Sequence, residues 1–577
     1  MGRLKGYIHP YRFFIALTLA IKLGGAVAEL FVPYFMEKIL REGTMPHQQE
    51  RIYIYGALMV FCAALCLLMN ITANRMSAGS SGKIIRKLRY DLFEKLNSLS
   101  ARQMDKLTVP SAESRLTSDT YRVNEFLARG QRLGIRAPSL LVGGVIMMIT
   151  MDARLALVPL ALLPIIALSV WLITKNSIPL YTLEQSVLDE VVRVVQENVT
   201  GVRVIRALSK AEYERDRFHK VNDRLTRIDT KAGSISALNN PISSLVLNLG
   251  LTAVVVAGAY QAAGGKTQPS VIVAFLQYFV MILNAMLGVT RIFILGSRFT
   301  ASARRITEVL DLPQDLEPVS VPQQIREDGP FPHIEFRDVT FSYTGVGENI
   351  SHLSFKLFRG QTLGILGTTG SGKSTIVNLL MRFYDADSGE ILIDGKDIRS
   401  FEKKDLSSRF GAAFQNDFVM EGTIADNIRF FRPISDEKVT AAAEDAQAAE
   451  FIAGKEGGME APVAIRGSNL SGGQKQRLLI ARALAGDSEI LILDDSSSAL
   501  DYRTDALLRR ALHADHSRTT TILIAQRISS LRHADQILVL DDGKVIGTGK
   551  HEDLMEQCPE YRIIAETQMG VGREEEA

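Results

Sequence analysis

The chain has 577 residues and a formal net charge of +2, from 66 basic and 64 acidic residues, which excludes partner recognition by bulk charge alone. Three cysteines are too few for a disulfide framework, and nine scattered histidines give no metal-ligand spacing. Apolar residues make up 46% of the chain. They gather as long runs in the first half, while the second half reads as a soluble α/β protein.

The N-terminus starts basic (Arg3, Lys5, Arg12) and enters an apolar run. A signal peptide begins the same way, but no small-residue cleavage site follows and five more such runs come after it. The first run is therefore expected to be a retained membrane helix. Six segments meet the requirement of roughly 20 mostly apolar residues. They lie near 12–34, 53–73, 134–151, 154–175, 238–262 and 269–296. Met151, Asp152 and Ala153 alone separate the third from the fourth, which demands a tight hairpin.

The loops after the second and fourth spans are rich in Lys and Arg (Lys83, Arg86, Arg89, Arg203, Arg206), and the loops on the other side are not. The positive-inside rule places both long loops and the soluble half in the cytoplasm. Their heptad-like apolar spacing predicts helices that continue out of the membrane and carry motion to the soluble half. Lys22 and Glu29, seven residues apart, share a face of the first span; they either line a path or form an interhelical pair. Asn239, Asn240, Ser243, Ser244 and Asn248 in the fifth span, and Gln277, Asn284 and Arg291 in the sixth, either line the same cavity or hydrogen-bond helices together. The expected organisation is a six-helix transmembrane domain over 1–310, a proline-rich linker over 311–332 and a nucleotide-binding domain over 333–577.

Gly367-Thr368-Thr369-Gly370-Ser371-Gly372-Lys373-Ser374 fits G-x-x-x-x-G-K-[ST], between an apolar strand and an apolar helix. Such glycines let backbone N–H groups close around phosphate oxygens; Lys373 reaches the outer phosphates, and Ser374 offers a hydroxyl to magnesium. The run Ile490 to Asp494 reads as a buried parallel strand that ends in a magnesium-holding carboxylate. Leu470-Ser471-Gly472-Gly473-Gln474 opens a helix. It reads either as a plain cap or as a second anion site facing a nucleotide held by another molecule.

These motifs, with Gln415 between them and Ser498-Ala499-Leu500-Asp501 after the Asp494 strand, resemble the ATP-binding-cassette family, and the six spans resemble its exporter type. The resemblance implies a membrane α-helical domain joined to an α/β P-loop domain, with ATP and Mg2+ as cofactors. It implies ATP contacts from Tyr343, Gly367 through Ser374, Thr375 and Gln415, with Mg2+ at Ser374, Gln415 and Asp494. Two halves would pair head to tail, so that Ser471, Gly472, Gly473 and Gln474 complete the partner's ATP site and Asp501 lies in the D-loop between the sites. Loop tips near Ser111–Asp119 and Val202–Leu208 look like coupling helices.

Two positions depart from the family. Asp495 stands where a Glu usually activates water, and Gln526 stands where a His usually contacts phosphate. Asp is one methylene shorter, and an error of about 1 Å in placement can cost roughly 100-fold in rate. Gln cannot carry a proton as imidazole can. Both losses fall on hydrolysis while the binding residues remain. That combination resembles the degenerate-site subunit of bacterial heterodimeric multidrug exporters, embedded in the cell membrane. It implies a second half-transporter with Glu and His restored, a hydrophobic small-molecule or peptide cargo, and no nucleic-acid partner. The alternatives are a homodimeric, slowly hydrolysing lipid or peptide exporter, and an ATP-gated channel or regulator.

Overall fold

A computed structural model describes residues 2–43, 49–321, 331–415, 418–496 and 498–569. Part of the expected linker (322–330) and the side chains of Asn239, Asn240 and Ser243 lie outside the described residues. The chain forms two compact units. One holds Met1–Asn97 and Pro110–Leu312; the other holds Ser98–Val109 and Pro313–Ala577.

The described residues of the first unit are almost all helical, and among them six helices are long and apolar enough to cross a membrane. Gln49–Ser98 has 50 residues and Ala153–Thr200 has 48. At about 1.5 Å per residue each is more than twice the roughly 30 Å of a hydrocarbon core, so each projects well beyond it as one continuous rod. In the hairpin between the third and fourth spans, Asp152 is extended and its carboxylate accepts from the N–H groups of Arg154 and Leu155, both at 3.0 Å. Tyr278, Phe275, Phe279 and Ile282 of Pro269–Leu310 are fully buried. Glycine makes close packing possible: a Cβ at Gly250 would lie 2.5 Å from the Phe279 ring.

The second unit holds a six-stranded sheet ordered Lys544–Gly549, Gln536–Asp541, Thr362–Gly367, Thr520–Ile524, Ile490–Asp494, Phe410–Ala413. All neighbours are parallel except the first pair. A separate four-stranded antiparallel sheet begins with Ile334–Phe341. The central strands are buried on both faces, as apolar parallel strands require. Their carboxyl ends lie side by side, which is where an open α/β sheet places its ligand.

Ser98–Val109 belongs with this second unit, whereas Ser111–Asp119 belongs with the helical one. The stretch expected to engage the soluble domain therefore begins about ten residues earlier in sequence than the expected tip. Local chemistry explains the position. Ser100 and Gln103 form a reciprocal capping box that starts helix Ala101–Leu107, and Thr108 at φ +64° ends it. Tyr384 donates a hydrogen bond to Asp105 at 2.6 Å, and the Arg102 guanidinium lies 5.9 Å from the Phe341 ring centre.

Candidate functional site

Strand Thr362–Gly367 delivers the phosphate loop to the sheet's carboxyl edge. Gly370 and Gly372 have φ of +88° and +98°, values that residues with a Cβ rarely adopt. A Cβ at Gly372 would also lie 2.6 Å from Ile350 Cδ1 and 2.8 Å from Asn349 O. Lys373 opens helix Lys373–Leu380 and folds back, donating to the carbonyls of Gly367 (2.9 Å) and Thr368 (2.6 Å). Burial lowers its pKa, and the carboxylates of Asp494 and Asp495 oppose that shift. The Ser371 hydroxyl is buried and, among the described residues, has no hydrogen-bond partner. A cradle of left-handed glycines, an inward lysine and an unsatisfied hydroxyl is what a phosphate-oxygen site requires.

Strand Ile490–Asp494 ends beside this loop. Asp494 is buried and its carboxylate hydrogen-bonds the Ser374 hydroxyl. Burial raises its pKa, as it does for Asp495. A hydroxyl and a buried carboxylate brought together, both oxygen donors, suit a hard cation such as Mg2+.

Asp495 turns the chain sharply, with φ +48°. Such a conformation in a non-glycine residue is uncommon and is held by its surroundings. Its N–H donates to Ile524 O (2.9 Å), and its own carbonyl accepts from Gln476 Nε2 (3.1 Å) and the Ser498 hydroxyl (2.9 Å). One carboxylate oxygen, Oδ2, accepts from both Gln415 Nε2 at 2.9 Å and Gln526 Nε2 at 3.3 Å. The two departing positions are thus in direct contact, and Gln415 joins them.

Tyr343 is partly exposed beside the phosphate-loop helix, with its hydroxyl 3.3 Å from Thr375 Oγ1 and accepting from Asn378 Nδ2 at 3.1 Å. Ser471 caps helix Gly472–Leu484 in a reciprocal box with Gln474. Gly473 lies against the Ala499 carbonyl, which a Cβ would approach to 3.1 Å. Among the described residues no hydrogen bond joins Ser471 or Gln474 to the phosphate loop. Asp501 caps helix Tyr502–Asp515 by accepting from Thr504. The structure therefore gathers Lys373, Ser374, Asp494, Asp495, Gln415 and Gln526, sets Tyr343 and Thr375 beside them, and presents Ser471 to Gln474 on a separate helix start. Gln476 escaped sequence reading, although it stands four residues after Gly472 and so on the same face of that helix.

Outside this site, the ligand atoms of His333, Asp394 and Glu489 fall within 4.8 Å of one another. Their positive partner is already supplied, because Arg359 bridges Asp394 (2.6 Å) and Glu489 (3.0 Å) and Arg409 approaches both. In the helical unit, Lys22 and Glu29 do not pair with each other. Lys22 donates to Asn70 and Asn74, while Glu29 accepts two bonds from Arg136, at 2.7 and 3.1 Å. Asn284 and Arg291 line a cavity of about 230 Å³ together with Arg136.

A phosphate loop followed by a carboxylate-ending strand, fused to six long apolar helices, defines a membrane ATPase. Residues 15–286 match the family described as "ABC transporter transmembrane region", and residues 350–498 match the one described as "ABC transporter". An uncharacterised ABC transporter ATP-binding protein of Mycobacterium tuberculosis is 34% identical over 98% of both chains. An ATP-dependent lipid A-core flippase of Vibrio vulnificus is 29% identical over 99% of this chain and 98% of its own. The structure of a bacterial Atm1-family ABC exporter with ATP bound superposes with a TM-score of 0.76, at 25% identity and 98% coverage of both chains. The chain belongs to the ABC transporter family. It is an exporter half-transporter, a multi-pass membrane protein with an ATP-binding cassette domain, part of a transporter that hydrolyses ATP to drive transport.

Proposed function

We propose that this chain is the degenerate-site half of a heterodimeric exporter in the cell membrane, with its cassette unit in the cytoplasm. The observation that carries the reading is the single Asp495 oxygen shared by two side-chain amides. In this arrangement the carboxylate is short and drawn back toward Gln415 and Gln526, and one of its two oxygens is engaged by protein amides rather than by a water. Gln526 offers a hydrogen-bond donor to phosphate but no titratable group.

Tyr343, the loop Gly367 to Ser374, and Thr375 bind ATP in this reading. Ser374, Asp494 and Gln415 would hold Mg2+, which supplies charge neutralisation at the phosphates when bound. Lys373 leaves the Gly367 and Thr368 carbonyls for the outer phosphates. Ser471 to Gln474, intact and capped, complete the site of an unlike partner that has Glu and His at the two departing positions.

Purifying the chain alone tests this. The expected result is tight ATP binding with turnover far below the roughly 1–10³ s⁻¹ usual for enzymes. Turnover in that range, abolished by Asp495→Ala, would instead establish a homodimer that hydrolyses with its own Asp.

A second reading, export of a lipid with an acidic head, draws on the named flippase relatives and on the cations of the helical unit. Among the described residues, Lys22, Arg132 and Arg291 have no carboxylate within 4 Å. Uncompensated cations in or beside apolar spans suit a cargo that brings negative charge. This reading concerns the cargo and is compatible with either dimer.

A further inference from the structure

We propose that the cassette unit carries a second ligand site, for a small amphipathic anion, in a cavity behind the strands that lead to Asp495 and Gln526. The cavity has a volume of about 250 Å³ and is distinct from the nucleotide site. One wall is Leu493 of Ile490–Asp494 and Leu523 of Thr520–Ile524; the facing wall is Leu508 and Leu512 of Tyr502–Asp515. Pockets for drug-sized ligands run to roughly 300–1,000 Å³, so this one suits a smaller molecule with a short apolar or aromatic body.

Its polar groups divide into two sets. The acids are already satisfied: Asp505 accepts from Ser530 (3.0 Å) and pairs with Arg509 (3.1 Å), and Asp535 accepts from the Thr362 N–H (2.8 Å). Ser496 is the opposite case. It lines the cavity, it is 2% exposed, and among the described residues its hydroxyl has no hydrogen-bond partner. A buried hydroxyl left open beside the cavity is available to a group bound at this wall.

The mouth is cationic. Arg509, His513 and His533 line the cavity, and they continue outward into a groove shared with Arg510, Arg532 and Ser529. Among the described residues, neither Arg510 nor Arg532 has a carboxylate within 4 Å; Arg532 donates to the His533 ring instead (2.9 Å). Apolar walls, an open buried hydroxyl and a mouth with surplus positive charge are the features that bind a carboxylate or phosphate monoester on a short body.

The position gives the ligand an effect. Ser496 follows Asp495 directly, and Leu523 lies three residues before Gln526. A body wedged between the two strands and the helix bears on the Asp495–Gln526 hydrogen bond, so occupancy alters hydrolysis. The site itself does not depend on whether the partner is like or unlike.

The test uses the full-length protein in nanodiscs, saturated with a non-hydrolysable ATP analogue so that the phosphate loop is filled. Phenyl phosphate serves as the anion and benzyl alcohol as its neutral counterpart, with binding read by ligand-observed NMR. Arg510 and Arg532 are exposed, so Arg510→Glu/Arg532→Glu removes the mouth's charge without touching the core. Ala534→Leu independently reduces the cavity's volume. The expected result is saturable one-to-one binding of phenyl phosphate, weakened about tenfold or more by either change, with benzyl alcohol much weaker; a tenfold loss corresponds to about 1.4 kcal/mol. In the assembled transporter, ATP turnover measured without the analogue changes at least about twofold on saturation with phenyl phosphate, and the double glutamate variant of this chain loses that response. Three results would overturn the proposal: no saturable binding up to about 5 mM, displacement by the ATP analogue, or affinity indifferent to the double charge reversal. If Ala534→Leu no longer folds, the charge variant decides alone.

Discussion

Asp495 and Gln526 invite a restoration experiment because their defects are separable from binding. Asp495→Glu lengthens the side chain by one methylene, and Gln526→His supplies an imidazole. The signature Ser471 to Gln474 is present in the same chain, so two restored copies contain every element of a competent site. The double variant, purified alone, is expected to gain about 100-fold in ATP turnover, and each single change much less. Steady-state ATPase measurements check this, and an unchanged double variant would move the cause away from these residues. Asp494 makes a different prediction. Burial raises its pKa, so the folded state holds a proton to higher pH than the unfolded chain does. Its favourable contribution is complete below the unfolded pKa and is lost as pH rises through the folded one. Above the folded pKa the nucleotide-free protein therefore bears the cost of a buried charge. Asp494→Asn should raise the melting temperature of the nucleotide-free protein there, by about 2–4 °C for each kcal/mol recovered, and should weaken Mg·ATP binding. The gain should shrink as pH falls and wild-type Asp494 takes up its proton; calorimetry across pH reads it. The sequence showed both carboxylates, both glutamines and their order, because each lies in a short local motif. It did not show that Asp495 joins Gln415 to Gln526, since that contact depends on how separate strands and loops meet.

At the scale of elements, the phosphate loop is the most constrained stretch. Gly372→Ala would place a Cβ 2.6 Å from Ile350 Cδ1 at φ +98°, so the loop must deform. Nucleotide binding is expected to fall about 100-fold or more while the fold persists, because only the loop's shape is altered. Equilibrium binding of a fluorescent ATP analogue measures this, with circular dichroism as the control. Helix Ala101–Leu107 shows where sequence reading fell short. Heptad spacing identified the long helical rods correctly, yet spacing alone does not mark where a rod ends and a new helix starts. The reciprocal Ser100–Gln103 cap and the left-handed Thr108 mark it, and they are visible in sequence only to a reader looking for a boundary there. Tyr384 fastens this helix through Asp105, and burial and that carboxylate raise its pKa, so it remains a donor at any physiological pH. Tyr384→Phe removes a partly solvated, charge-assisted bond of about 1 kcal/mol. Hydrogen exchange of the Ala101–Leu107 amides should accelerate about fivefold, with ATP binding unchanged.

For the whole molecule, the informative feature is the imbalance of charge in the helical unit. Arg136 is matched by Glu29 through two hydrogen bonds, a pairing invisible in sequence because the two residues lie 107 positions apart. Lys22 is buried and hydrogen-bonds the side-chain amides of Asn70 and Asn74, Arg132 donates to its own helix at Ala128 O, and Arg291 faces the cavity beside Arg136. A charged side chain at the centre of a membrane helix costs roughly 2.5–3.5 kcal/mol on insertion scales. Water in a central path lowers that cost, and a negatively charged cargo lowers it further while gaining affinity from it. An apolar cation would meet the opposite field, so charge discriminates between cargoes of equal size. Anionic amphiphiles should stimulate ATP turnover of the assembled transporter, and cationic amphiphiles of matched length should not. Arg291→Glu should weaken the anionic response by about tenfold in apparent affinity, equivalent to about 1.4 kcal/mol, and leave basal turnover in place because Arg291 lies outside the cassette unit. Concentration–response curves for the two amphiphiles, run on wild type and variant in the same nanodiscs, separate the outcomes. Equal responses to both signs of charge in the wild type would show that these cations serve helix packing and solvation rather than cargo.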